Sequence, residues 1–155
     1  MTKYFIDTEF LERDHGIRLI SIGIVCEDGR ELYAQNLEFK FDSADEWLWR
    51  NVIPHLTHFS MENRGRSCQS STSKLYTESS CTELDCPWET ERKIADKIKA
   101  FCNPETYGKP EFWGYYADYD WVVFCQIFGA MVDLPKGWPM YCRDLKQWCD
   151  ILGNP

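Results

Sequence analysis

The chain opens with the apolar run Tyr4-Phe5-Ile6 and then places Asp7-Thr8-Glu9-Phe10, two carboxylates spaced two apart at the end of a predicted strand over 3–7. Side chains alternate between the faces of a strand, so Asp7 and Glu9 share one face and Thr8 and Phe10 the other. Ile17 to Cys26 is apolar almost throughout, the pattern of a central strand buried on both faces. Asp28-Gly29 is a hairpin turn signal, and strand-like alternation resumes over 31–39. The three strands 3–7, 17–26 and 31–39 are expected to form an antiparallel meander.

Helical signals follow. A short helix is predicted over 44–51, with Ser43 as its cap and Pro54 beyond its end. An amphipathic helix is predicted over 89–102, where Ile94, Ile98 and Phe101 fall at helical spacing. Between them, residues 60–86 are rich in Ser, Thr, Glu and Asn and read as a long loop or an insert. Residues 111–116 read as a short aromatic strand. Asp118 then caps a largely buried helix to about Phe128, which Gly129 ends. A brief strand at 140–142 leads into a helix over 145–152, capped by Asp144 with Gln147 and stopped by Gly153 and Pro155. The order β-β-β-α-α-β-α-β-α predicts an α/β domain, a mixed sheet flanked by helices.

Length and composition narrow the class. A chain of 155 residues is one domain, able to bury a core unaided, and 44% hydrophobic content argues for a folded globule. The net charge of −8 argues against holding nucleic acid through a broad basic surface. It leaves room for an enzyme whose bound cations supply positive charge locally. No run of signal-peptide or membrane-spanning character occurs, so a cytoplasmic protein without a membrane partner is expected. Cys26, Cys102, Cys125, Cys142 and Cys149 fall in predicted strands or helices and read as small buried hydrophobes. Cys68, Cys81 and Cys86 fit no common zinc spacing.

The pair Asp7 and Glu9 carries the chemistry. Adjacent carboxylates repel, and a hard divalent cation is the usual relief; solvated acids at a strand end are the alternative. Asp120 lies in the first turn of the helix after the fourth strand. If that strand runs parallel to the first and beside it, both open on one sheet edge and the three carboxylates converge. Taken alone, Asp120 reads as complementing the helix dipole.

Four segments together resemble a known superfamily: Tyr4 to Phe10, Leu19 to Val25, Trp113 to Asp120, and Phe124 to Gly129. They are similar to DEDD-type (DEDDh) 3′-5′ exonucleases, within which the nearest likeness is to the mycobacterial and phage 3′-5′ exoribonucleases. The resemblance covers residues 3 to about 56 and 89 to 155. It implies a ribonuclease H-like sheet, three antiparallel strands followed by parallel ones, without the final helix of that fold. It also implies two-metal hydrolysis at the 3′ end of single-stranded RNA, with DNA and a homodimer left open. By position, Asp7, Glu9 and Asp120 would be the catalytic metal ligands for two Mg²⁺ or Mn²⁺ ions roughly 3.5–4 Å apart. Thr8 and Phe10 would contact substrate, Phe10 by stacking on the terminal base or else serving as a core aromatic.

The family pattern also includes a His followed five positions later by an Asp, and no His follows Asp120 here. His15, His55 and His58 all precede it and read as surface or loop residues. The expected activity is a metal-dependent 3′-5′ exoribonuclease. A catalytically impaired domain that binds a nucleic-acid end or a protein partner is the alternative, and a structural cation site is a third reading.

Overall fold

The computed structural model describes residues 1–13, 16–61, 65–66 and 86–153. Its main sheet contains β1 (Thr2–Arg13), β2 (Gly16–Cys26), β3 (Glu31–Asn36), β6 (Trp88–Glu89), β7 (Pro110–Gly114) and β8 (Arg143–Asp144). Their order is β6-β3-β2-β1-β7-β8, with β1–β2 and β2–β3 antiparallel and β3–β6, β1–β7 and β7–β8 parallel. The expected meander is present, and β7 lies beside β1 with Tyr4 opposite Phe112. This is the mixed α/β sheet of a ribonuclease H-like fold. A separate pair, β4 (Phe59–Ser60) with β5 (Gly65–Arg66), opens the predicted insert, of which 62–64 and 67–85 lie outside the described residues, as does His15.

The helices are α1 (Glu46–Asn51), α2 (Glu91–Phe101), α3 (Pro104–Tyr107), α4 (Asp118–Gln126) and α5 (Leu145–Leu152). On one face of the sheet, Tyr4, Ile6, Ile22, Ile24, Ala34 and Phe112 pack against Ile94 and Ile98 of α2 and Val123 and Phe124 of α4. Leu11, of opposite parity on β1, enters a second cluster with Ile20, Phe39, Leu48, Ile53 and Trp88. A β-bulge makes this division. Glu9 pairs with Ser21 but Phe10 pairs with Leu19, so Ile20 has no partner and the alternation of β2 inverts there. Leu19 thereby stays with Ile22 and Ile24 while Ile20 turns to the second cluster.

Several boundaries differ from the sequence reading. β1 does not end at Asp7 but runs on to Arg13, because the bulge lets it keep pairing with β2. β3 stops at Asn36, β7 at Gly114 and α4 at Gln126. The cap of α1 is Asp45, whose carboxylate accepts from the Leu48 N–H at 2.9 Å, rather than Ser43, which lies in a preceding 3₁₀ turn. Asp118 does not cap α4; it is the first helical residue after Ala117. The eighth strand is Arg143–Asp144 rather than 140–142. Asp144 does cap α5, accepting from the Gln147 N–H at 2.9 Å. The helix read as largely buried leaves Tyr119 and Val122 exposed. Among the described residues no helix is long and apolar enough to cross a membrane.

Candidate active site

Asp7 and Glu9 lie in mid-strand, just before the bulge, exposed on the face opposite the larger core. Asp7 pairs with Gly23 of β2, and a Cβ placed on Gly23 meets no heavy atom within 4 Å. Among the described residues, the sheet in front of Asp7 is therefore open. Tyr33 flanks the same place, opposite Gly23 on β3 and half exposed. Its phenol is raised above its ordinary pKa mainly by burial, with the Glu9 charge adding to the effect.

Asp120 arrives by a different route. β7 leaves the sheet at Gly114, where a Cβ would come within 2.8 Å of the Ala117 Cβ and 3.3 Å of the Ile6 carbonyl oxygen. Only glycine fits so close an approach. The chain then turns into α4, held by the Ala117 N–H donating to Asp144 Oδ2 at 2.7 Å. Asp120, 8% exposed, is brought against β1, where its Oδ1 accepts from the Thr8 N–H at 2.8 Å and from the Thr8 hydroxyl at 2.6 Å. Its Oδ2 makes no hydrogen bond among the described residues.

The three acids sense one another. Partial burial raises the Asp7 carboxyl above its usual range and the charge of Asp120 adds to it; Glu9 is raised by burial, then by Asp7 and by Asp120. No basic group counteracts either shift. Among the described residues, no three His, Cys, Asp or Glu side chains are gathered closely enough to enclose a metal ion. The arrangement is thus an open carboxylate pair with a third carboxylate anchored behind it. Thiol nucleophiles do not compete here: burial pushes Cys142 up to about 12, with Asp120 and Asp144 adding, so it stays protonated.

Thr8 and Phe10, read from the sequence as substrate contacts, have other partners in this structure. The Thr8 hydroxyl is buried on Asp120, which makes Thr8 a positioning residue for that carboxylate. Phe10 is partly buried against the core and stacks on Tyr119, with centroids 5.6 Å apart at 18°. The Tyr119 hydroxyl in turn donates to Glu12 Oε1 at 3.1 Å. The sequence reading assigned no part to Tyr119 or to the hold of Asp144 on Ala117. Each depends on a contact between residues at least 27 positions apart, which no local pattern marks. His55 and His58 fall in the segment after α1, and no His lies on β1, β7 or α4.

Comparison with known proteins supplies the family. The model of the 3′-5′ exoribonuclease Rv2179c-like domain matches residues 2–147. Two curated proteins of Mycobacterium tuberculosis are similar over almost the whole chain: 3′-5′ exoribonuclease Rv2179c of strain H37Rv and 3′-5′ exoribonuclease MT2234.1 of strain CDC 1551. Each is 33% identical over 153 residues, which is 99% of this chain and 77% of the relative. The match takes in both arms of the carboxylate arrangement, β1 with its Asp7 and Glu9 and α4 with its Asp120. With its mixed sheet and the carboxylates of β1 and α4, the chain belongs to the Rv2179c-like 3′-5′ exoribonuclease domain family, a family of hydrolases.

Proposed function

We propose that this chain is a metal-dependent 3′-5′ exoribonuclease that removes nucleotides from the 3′ end of single-stranded RNA. The observation that carries the reading is the pair Asp7 and Glu9 side by side on a sheet face left open among the described residues, both raised first by partial burial and then by the charge of Asp120, with Asp7 adding to the rise of Glu9. Their chemistry fits a hard divalent cation, since all the donors are carboxylate oxygens and no basic side chain among the described residues offsets their charge. Asp7 and Glu9 would hold Mg²⁺ or Mn²⁺, and the Asp120 Oδ2, which makes no hydrogen bond among the described residues, would be the third donor. When bound, such a pair of ions supplies an activated water and neutralises the charge that develops on the departing oxygen.

The chain's own residues have distinct tasks. Asp7 and Glu9 present oxygens toward solvent, where a phosphodiester can approach over the bare backbone of Gly23. Thr8 fixes Asp120 through two hydrogen bonds, so that its remaining oxygen has a set direction. Phe10 and Tyr119 border the same stretch of β1 as a stacked pair against which a terminal base can lie.

A time course on 5′-labelled RNA tests this. With Mn²⁺ or Mg²⁺, wild-type protein should give a ladder that shortens from the 3′ end, and Asp7→Ala or EDTA should abolish it. A matched DNA strand measures the preference for ribose. RNA that is bound in EDTA but never shortened would replace this reading with a domain that only binds nucleic-acid ends. Neither binding nor cleavage would exclude both.

A further inference from the structure

Two tyrosines at the carboxyl edge of the sheet belong neither to the cores nor to the carboxylate arrangement. Tyr115 and Tyr116 follow Gly114 directly and are 55% and 63% exposed, with rings 4.8 Å apart and near perpendicular. Tyr116 has φ of 54°, in the left-handed region. A residue with a Cβ is strained there, and such strain concentrates at functional sites. If this turn had only to reverse the chain into α4, glycine would do so without strain. Tyrosine instead keeps a large ring in water on the turn between β7 and the helix that carries Asp120. The turn is anchored at its far end, where the Ala117 N–H donates to Asp144 Oδ2. Asp120 lies four residues beyond Tyr116.

We propose that Tyr115 and Tyr116 form a stacking platform for the bases of single-stranded RNA that lie 5′ of the bond being cut. This rests on the exoribonuclease reading. A chain of net charge −8 has little general attraction for a polyanion, so sequence-independent grip has to come from ring faces more than from charge. Stacking on aromatic side chains is the usual means of holding an unpaired strand, and it tolerates any base. The turn that carries both rings joins Gly114, packed close to the Ile6 carbonyl one residue before Asp7, to the helix that carries Asp120, which suits nucleotides upstream of the reacting one.

Fluorescence anisotropy with a labelled single-stranded 12-mer RNA in Ca²⁺, next to turnover in Mn²⁺, tests the platform. Tyr115→Ala with Tyr116→Ala should weaken binding by roughly tenfold per ring, raising KM on the 12-mer with kcat little changed and leaving a dinucleotide substrate unaffected. Tyr116→Gly separates stacking from backbone: it removes the strain with the ring, so its melting temperature should not fall while its RNA affinity does. If Tyr116→Gly or the double variant binds and digests the 12-mer like wild type, the platform is overturned and the exoribonuclease reading stands. Wild-type protein that neither binds nor shortens RNA overturns both.

Discussion

Asp7 and Glu9 are partly buried near Asp120 with no basic side chain among the described residues to offset them, and this has a measurable cost. Both carboxyls are raised in the folded protein, so folding favours their protonated forms. That contribution to stability is complete below the unfolded pKa of about 4 and is lost as pH rises through the raised folded value. At pH 7 without metal, the two charges therefore oppose folding. Asp7→Asn should raise the melting temperature in EDTA at pH 7 by about 1–2 °C, with no gain at pH 3, while reducing Mn²⁺-dependent cleavage by more than about 100-fold. Calorimetry at the two pH values beside an RNA time course measures both effects. A variant that is both less stable and less active would show Asp7 to be structural. Thr8→Val has the opposite signature. It keeps the shape but leaves buried Asp120 Oδ1 with the Thr8 amide alone, so we expect a loss of about 1–2 kcal/mol together with weakened cleavage. Denaturant titration reads the first and the RNA assay the second.

Among the elements, α4 and α5 are tied at their N-termini by one side chain. Asp144 accepts from Gln147 in α5 through Oδ1 and from Ala117 at the head of α4 through Oδ2. Desolvation pushes its pKa up, but the backbone hydrogen bonds from Gln147, Ala117 and Lys146 outweigh it and the carboxyl is lowered overall. The stabilisation is present above the unfolded pKa of about 4 and is lost as pH falls through the lower folded value. Asp144→Ala should cost about 1–2 kcal/mol at pH 7, and the gap to wild type should close below pH 4 in paired melting curves. Half of this junction was legible in the sequence. An Asp with a polar residue three positions on, ahead of an apolar run, marks a helix start, and that cap is observed. Its second bond reaches 27 residues back and leaves no local trace. The same limit explains the other differences. Ser43 and Asp45 are both competent caps, and the helix that starts at Asp45 is the one that carries Leu48 into the second cluster. The bulge at Ile20 lies inside an apolar run where every register looks alike, so the extension of β1 past Glu9 could not be read. Asp7 and Glu9 stood out because a two-residue spacing on a strand is a local geometric fact. The anchoring of Asp120 by Thr8, 112 residues apart, required the fold.

At the scale of the whole molecule, the sign of the charge is the puzzle, since an acidic chain has to accept an acidic polymer. The carboxylates repel RNA when bare, and a divalent cation bound there, as proposed, would reverse the local field, which acts over roughly 10 Å at 0.1 M salt. This makes the effect of removing a carboxylate change sign with the medium. In EDTA, Glu9→Gln takes away a repulsive charge and should bind single-stranded RNA about two- to fivefold more tightly than wild type. In Ca²⁺ the same variant loses a cation ligand and should bind more weakly than wild type. Anisotropy with one labelled RNA in the two buffers gives four affinities, and the crossing of the pairs is the signature of a cation-mediated site. Parallel shifts in both buffers would mean that Glu9 touches RNA without a metal between them. Tyr115 and Tyr116 supply an internal reference, because loss of a stacking ring should weaken binding in both buffers alike and cannot produce a crossing.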